Sequence, residues 1–142
     1  MSTSRGIRNC NPLNIRRNET KWQGLRQEQT DSAFFQFVSM PYGYRAAIKT
    51  LVTYYNKYGL KTIREIVSRW APPSENHTEN YIDIVAERTG ILSDAEIDIC
   101  DADAMVAIVS AMSFVENGEE ANENEIRQGY LLARVSSLTF PI

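Results

Sequence analysis

Glu116 is the residue whose type and spacing point most directly to chemistry. It follows Met112 by four positions on an apolar stripe, which places its carboxyl on the buried face of a predicted helix. It also lies in the last turn of that helix, before Asn117 and Gly118, where the helix end carries partial negative charge. Burial and the dipole both predict a raised pKa. A carboxylic acid that keeps its proton near neutral pH suits general acid catalysis of glycosidic cleavage. A glutamate that swings into solvent at a frayed helix end is the alternative.

A second catalytic group would complete a glycosidase site. In most glycosidases it is another carboxylate about 5–9.5 Å away, and Glu19, Glu28 and Asp31 in the polar N-terminal region are available for that role. An enzyme whose substrate assists with its own groups works with one glutamate. A Cys/His amidase or peptidase, with a thiol activated by His77, is a further alternative.

Two polar segments are candidate binding surfaces. Asparagines recur in the irregular stretch 5–16, where their amides can either tie the loop to its own backbone or face an N-acetyl sugar. The stretch 70–81 is dense in polar and aromatic side chains at the predicted start of a helix, where an ordinary loop and helix cap is the alternative. The candidate binding residues are Asn9, Asn11, Asn14, Glu75, Asn76, Thr78 and Tyr81.

Amphipathic helices must position these residues. Residues 1–40 show little helical period and predict a small irregular or β lobe, in which 22–25 and 34–38 form a hairpin. Residues 41–138 carry apolar residues at helical spacing and predict a helical body. The expected helices run from Ser39 and Pro41 to Gly59, over about 62–70, from Asn76 or Thr78 to Gly90, from Asp101 to Gly118, and from about 122 onward. The fold class is therefore mainly α, in a single domain over 1–142.

Composition narrows the chemistry further. The 142 residues include one histidine, His77, and two cysteines, Cys10 and Cys100. A zinc site built on several histidines and a Cys-x-x-Cys redox site are therefore excluded. Neither a GxGxxG nor a GxxxxGK[ST] loop is present, so a nucleotide site has no support. We expect no metal and no cofactor.

The charge is unevenly distributed along the chain. The net charge is −3, which argues against a general nucleic-acid binder, yet residues 1–26 carry six basic side chains and one acidic side chain. A basic arm on an acidic body favours an anionic partner or pairing within the molecule.

The sequence has no apolar run of the roughly 20 residues that a membrane-spanning helix needs, and its N-terminus lacks the apolar region of a signal peptide.

Several motifs stand out together. They are RGIRNxNPxNIR at 5–16, WQG at 22–24, FQF at 35–37, YGLxTI at 58–63, RWAPPxENxT at 69–78 followed by Tyr81, and ENG at 116–118. They span nearly the whole chain and resemble a family of bacteriophage and prophage proteins described as virion structural or endolysin-like proteins. The resemblance implies a lysozyme-like helical fold.

Three of these motifs are also similar to motifs of lytic transglycosylases and glucosaminidases. The ENG turn at 116–118 resembles the Glu-Ser-Gly-type turn that ends their catalytic helix. The stretch 9–15 resembles an Asn-rich or Gly-rich segment that follows that helix, and 78–81 resembles their Glu-Thr-x-x-Tyr-like helix start. In those enzymes the glutamate comes first, whereas here it comes last, an order that a circular permutation would explain.

The resemblance implies a peptidoglycan-cleaving enzyme of the lytic transglycosylase or muramidase type. It would cut the β-1,4 bond between N-acetylmuramic acid and N-acetylglucosamine, with Glu116 as acid and then base. The expected partner is the peptidoglycan glycan strand, with other virion proteins as a further partner and neither nucleic acid nor membrane. The alternative is a non-catalytic virion or assembly protein with the same fold. We expect synthesis in the host cytoplasm and action at the cell wall, in the periplasm or within the virion.

Overall fold

The computed structural model describes residues 3–74 and 76–136. Six helices lie within this part of the chain: α1 Arg5–Arg8, α2 Met40–Tyr58, α3 Ile63–Trp70, α4 Thr78–Thr89, α5 Ala102–Asn117 and α6 Glu123–Ala133. The prediction of a mainly α fold is confirmed. We call residues 3–39 the N-terminal lobe and residues 40–136 the helical body. Positions 137 and 138, the end of the predicted body, lie outside the described residues.

The ends of the helices follow from local sequence. The Asp101 carboxylate accepts the backbone N–H of Ala104 and so caps α5, and the Asn122 amide caps α6 in the same way. Three helices of the body end at a glycine in the left-handed conformation, which L side chains rarely adopt. These glycines are Gly59 after α2, Gly90 after α4 and Gly118 after α5.

The apolar stripes of the helices meet in one core. Helix α2 packs most extensively on α6, and α5 packs against both α4 and α6. The predicted stripe of α2 is buried apart from a half-buried Tyr55, and that of α5 is wholly buried. The buried stripe residues are Tyr44, Ala47, Ile48, Leu51 and Val52 on α2, and Met105, Ile108, Val109 and Met112 on α5. Because α5 is anchored along its length, the residue one turn after Met112 has a fixed position.

The predicted hairpin of the lobe is reduced to single antiparallel bridges. Leu25 pairs with Phe37, as the two segments predict, and Arg16 pairs with Phe34. No continuous ladder forms between 22–25 and 34–38 in the described chain. One reason is that the Gln29 side chain binds both backbone groups of Gln36, accepting its N–H at 2.8 Å and donating to its carbonyl at 2.8 Å. Side-chain bonds of this kind compete with strand pairing.

The lobe begins with a short helix that its sequence does not predict. Helix α1 is capped by the Ser4 hydroxyl and packs against the end of α5. Gly6 makes this approach possible, since a Cβ there would lie 2.5 Å from Asn117 Oδ1 and 3.0 Å from Asn14 Oδ1. The N-terminal lobe therefore meets the helical body at the point where Glu116 lies.

Candidate active site

Glu116 lies where the sequence predicts it, in the last turn of α5. The helix ends one residue later, and the Gly118 N–H closes it by donating to the Phe114 carbonyl at 2.8 Å. The remaining carbonyls of that turn point toward the carboxyl end of the helix and give it partial negative charge. A carboxylate is unfavourable at such a position unless other groups compensate.

Donors from two regions of the molecule hold the Glu116 carboxyl. From the lobe, the Asn14 amide donates to Oε1 at 2.9 Å. From the body, the Tyr81 hydroxyl on α4 donates to Oε2 at 3.0 Å. The Trp70 side chain at the end of α3 lines the cleft beside the carboxyl. The carboxyl is thus oriented by contacts on both of its oxygens.

Burial raises the pKa of Glu116 above its ordinary value. The hydrogen bonds from Asn14 and Tyr81 act in the opposite direction, because they stabilise the charged form, but burial is the larger effect. The pKa of Tyr81 is raised well above its usual value by its own burial and then by the nearby Glu116 charge. Tyr81 therefore remains a neutral donor, and Glu116 is biased toward its protonated form.

Asn14 reaches Glu116 because its backbone takes an unusual conformation. Its φ is 55°, in the left-handed region that asparagine tolerates better than most residues. Its N–H donates to the Asn11 carbonyl at 3.0 Å, which closes the turn. Its Oδ1 is buried without a hydrogen-bond partner in the described chain. The Asn14 amide is thus oriented so that its Nδ2 donor points at the Glu116 carboxyl.

Asn117 joins the lobe to the end of α5. Its Nδ2 donates to the Pro12 carbonyl at 2.7 Å and to the Ser113 carbonyl at 3.0 Å. Its Oδ1 accepts the Ser4 hydroxyl at 2.7 Å. The residue next to the candidate acid therefore fixes the Asn14 turn against α5, a role that sequence reasoning did not assign to it.

A cleft of about 430 Å³ opens beside the carboxyl. Its walls come from the lobe, from the end of α3, from the loop before α4 and from the end of α5. The lining residues are Leu13, Asn14, Arg16, Phe34, Trp70, Ala71, Asn76 and Glu116. Among these described residues Glu116 supplies the one carboxyl group, and amides, an indole and a guanidinium supply the other polar atoms.

The structure brings four of the predicted site residues together and leaves three elsewhere. Glu116, Asn14 and Tyr81 are in contact, and Asn76 lines the same cleft, where its amide donates to the Pro72 carbonyl at 3.3 Å. Glu75 lies outside the described residues. The remaining three, Asn9, Asn11 and Thr78, do not line the cleft.

The buried amides of Asn9 and Asn11 instead tie the lobe together. Asn9 donates to the Asp31 carboxylate at 2.9 Å and accepts from Gln36 at 3.1 Å. Asn11 donates to the carbonyls of Ile15 and Phe35 and accepts the Ile15 N–H. Because both ends of each amide are already bonded within the lobe, these contacts give no support to the prediction that Asn9 and Asn11 hold a ligand.

Thr78 fastens the loop before α4 rather than facing the cleft. Its hydroxyl donates to the Ala71 carbonyl, and the residue is buried. Of the two starts predicted for this helix, Thr78 is the observed one, with His77 as its cap residue and no side-chain bond from it. This contact shows a role of Thr78 in shaping the loop and gives no support to the prediction that Thr78 contacts a ligand.

None of the other candidate catalytic groups lies in the cleft. The Asp31 carboxylate is bound by Arg5 through two bonds of 2.7 Å, and this contact holds its pKa well below the usual range. Glu19 and Glu28 are exposed in the lobe. Among the described residues no hydrogen bond joins His77 to a cysteine. The Cys/His alternative thus receives no support from the contacts.

Trp70, Arg16 and Phe34 line the cleft but are not among the individual candidate binding residues. Arg16 and Trp70 do lie in the two stretches, 5–16 and 70–81, that the sequence predicts as binding surfaces. Trp70 falls on the apolar stripe of a predicted helix, which is typical of a core residue. The polar loop that follows it nevertheless indicates a binding surface. Arg16 closes the RGIRNxNPxNIR motif, and Phe34 starts a predicted strand. Their types alone do not separate them from core or surface residues.

Comparison with known proteins gives one clear relative. The chain is 40% identical over 131 residues to "Protein P5" of Pseudoalteromonas phage PM2, covering 89% of this chain and 80% of that protein. The chain belongs to the Protein P5 family. No protein-family model matches it. The relationship confirms that the chain is related to a phage protein. The name of this Protein P5 relative specifies no activity, so the chemistry must be argued from the cleft.

The described residues of this Protein P5 homologue contain no cluster of three or more His, Cys, Asp or Glu side chains arranged to hold a metal ion. In the same residues, every helix is too short or too polar to cross a lipid bilayer.

Proposed function

We propose that this phage protein cleaves the glycan strand of peptidoglycan with Glu116 as its acid and base. The observation that carries the proposal is the carboxyl itself. Glu116 lies at the wall of a cleft, burial raises its pKa, and Asn14 and Tyr81 fix both of its oxygens. A carboxyl with these properties is suited to protonate a leaving glycosidic oxygen.

The residues that line the cleft favour a mechanism in which the substrate itself supplies the second catalytic group. Among the described residues that line it, no second carboxyl stands near Glu116. Glycosidases of the two-carboxylate type place the pair about 5–9.5 Å apart. Here the attacking group must come from the sugar or from water. N-acetylated sugars supply such groups themselves, through the acetamido carbonyl and the C6 hydroxyl.

The reaction balances with one carboxyl. Protonated Glu116 gives its proton to the oxygen that links the two sugars, and the bond from that oxygen to C1 breaks. The resulting carboxylate then takes the proton of the C6 hydroxyl of the same sugar, whose oxygen attacks C1. The products are a 1,6-anhydro sugar and a new chain end, and Glu116 recovers its proton. If water replaces the C6 hydroxyl, the same steps give hydrolysis.

The polar wall of the cleft supports an N-acetyl sugar as substrate. Asn76 presents an amide, which can bond acetamido and hydroxyl groups. The Trp70 indole borders the cleft beside the carboxyl, and aromatic faces provide apolar area for sugar rings. The membership of a phage family is compatible with action on the host wall, either from the virion or at lysis.

The decisive experiment is digestion of purified sacculi. Wild type, Glu116→Gln and a matched control, Glu119→Gln, are incubated with sacculi, and the released fragments are identified by mass spectrometry. Glu119 is exposed just beyond the same helix end, so its variant controls for the loss of a charge there. We expect anhydro-muropeptides from wild type and Glu119→Gln, and a loss of roughly 10²–10⁴-fold with Glu116→Gln.

Other outcomes identify the alternatives. Release of peptide-bond products that Cys10→Ser abolishes would establish a Cys/His peptidase or amidase. If wild type releases nothing, and its circular dichroism spectrum confirms that it is folded, the proposal fails in favour of a non-catalytic virion or assembly protein.

A further inference from the structure

The cleft continues beyond the carboxyl into a second, smaller pocket. That pocket has a volume of about 260 Å³ and shares Asn14, Arg16 and Trp70 with the main cleft. Its other lining residues are Ile15, Asn18, Thr50 and Tyr54. Because the two pockets share one wall, a polymer bound beside Glu116 can extend past Arg16 and Trp70.

Arg16 is held at the junction of the two pockets. Its backbone pairs with Phe34, and its guanidinium carbon lies 5.1 Å from the centroid of the Phe34 ring. This cation–π contact limits the positions of an otherwise exposed side chain. The guanidinium is therefore presented along the cleft wall rather than dispersed in solvent.

The Phe34 ring carries a second guanidinium that serves as an internal comparison. Arg5 lies 4.7 Å from the same ring centroid, and it binds the Asp31 carboxylate through two bonds of 2.7 Å. Arg16 makes neither an ion pair nor a side-chain hydrogen bond with any described residue. Of the two cations on this ring, the one at the cleft thus keeps all five of its N–H donors available.

We propose that Arg16 binds a carboxylate carried by the glycan that occupies this cleft. The inference rests on the proposed function and adds a recognition element to it. A guanidinium presents two parallel donors that match a carboxylate, and a lysine does not reproduce this geometry. Peptidoglycan offers two sources of that group: the lactyl carboxyl of muramic acid where the stem peptide is absent, and the carboxylates of the stem peptide where it is present.

Binding is measured in the Glu116→Gln background, so that no ligand is consumed. The ligands are glycan strands with stem peptides, the same strands stripped of them by an amidase, and N-acetylated chito-oligosaccharides, which carry no carboxylate. Dissociation constants are compared for Arg16→Gln, Arg16→Lys and Arg17→Gln. Arg17 is the matched control because it is adjacent, exposed and bonded within the lobe to the Asp31 carbonyl.

We expect Arg16→Gln to weaken binding of carboxylate-bearing glycan about tenfold, a loss typical of one charge-assisted contact. Chito-oligosaccharide binding should be unchanged, and Arg16→Lys should recover only part of the loss. The glycan that loses affinity, stripped or stem-bearing, identifies which carboxylate is bound. An equal loss with Arg17→Gln would show general charge attraction and would overturn the inference, as would an equal loss for the neutral oligosaccharide.

Failure of this inference is distinguishable from failure of the proposed function. If the glycans bind Glu116→Gln and the Arg16 variants have no selective effect, the carboxylate contact alone is refuted. If no glycan binds to the folded Glu116→Gln protein, both the contact and the proposed function fall together.

Discussion

The N-terminal lobe and the helical body are held together by different interactions. The body buries a continuous apolar core to which five helices contribute. The lobe contributes Leu13 to that core, and Phe35 and Phe37 to a smaller cluster on Ala46 of α2. Its backbone is otherwise tied by amide side chains. A region without regular secondary structure must satisfy its backbone groups in this way. Apolar packing thus positions the Glu116 side of the cleft, whereas polar ties together with the buried Leu13 position the Asn14 side.

The largest effect on the free energy of unfolding is expected from a cavity in the helical body. Leu51→Ala removes a fully buried side chain from the centre of α2 and should lower the free energy of unfolding by about 2–5 kcal/mol. Chemical denaturation followed by circular dichroism measures this loss.

A smaller but more local effect is expected in the lobe. Asn11→Ala leaves the Phe35 carbonyl and the Ile15 N–H without their side-chain partner, at a cost of about 1–3 kcal/mol for such buried groups, whereas the Ile15 carbonyl keeps the Phe35 N–H. Hydrogen exchange should show faster exchange in the lobe, while the helices of the body keep their protection. Uniform loss of protection in both regions would contradict the division described above.

The candidate acid should lower stability at high pH. The pKa of Glu116 is raised in the folded state, so the stability that its carboxyl contributes is present below its ordinary value, near 4.5, and is lost as the pH rises through the folded-state pKa. Glu116→Gln removes this loss. The variant should therefore melt above wild type at neutral and alkaline pH, on the order of 3 °C higher, and the difference should shrink at acid pH.

Glu119→Gln is the control for that measurement, because its carboxyl is exposed at the same helix end. A melting difference for Glu116→Gln that does not change with pH would refute the assignment of a buried, protonated carboxyl.

The smallest effect is expected on the pKa of Glu116 when one donor to its carboxyl is removed. Tyr81→Phe removes one hydrogen bond to the charged form of Glu116, so the pKa of that carboxyl should rise further. Carbon NMR of labelled glutamate measures the titration directly, independent of any activity. Tyr130→Phe is the control, since its hydroxyl bonds the Ile99 carbonyl away from the cleft. A downward shift in Tyr81→Phe would contradict the role of Tyr81 as a donor.

The sequence predicts the body well because its periodicity and its caps are local signals. The α5 stripe, the Asp101 cap and Gly118 together locate Glu116. Spacing alone predicts that it faces the core side of the helix, where the residue is half-buried. The lobe has no such period. Four residues of α1 are too few to show one, and the pairing of Leu25 with Phe37 extends no further in the described chain because side chains bind the intervening backbone.

The roles of the cleft residues in the N-terminal lobe likewise could not be predicted from the sequence. Asn9, Asn11 and Asn14 are the same residue type at short intervals, yet only the third reaches the carboxyl, because its left-handed backbone turns the side chain toward α5. Side-chain direction in an irregular backbone depends on contacts that are distant in sequence. Asn117 and Arg16 escaped assignment for the same reason, since their roles arise only where the lobe meets the body.

The hydrogen bond from Asn14 to Glu116 crosses the interface between the N-terminal lobe and the helical body. The hydrogen bond from Tyr81 to Glu116 comes from within the body. Undocking the lobe would admit water to the carboxyl, and the residue would then ionise as an unremarkable surface acid. The raised pKa of Glu116 is therefore a property of the assembled molecule, and measuring it reports whether the interface between lobe and body is closed.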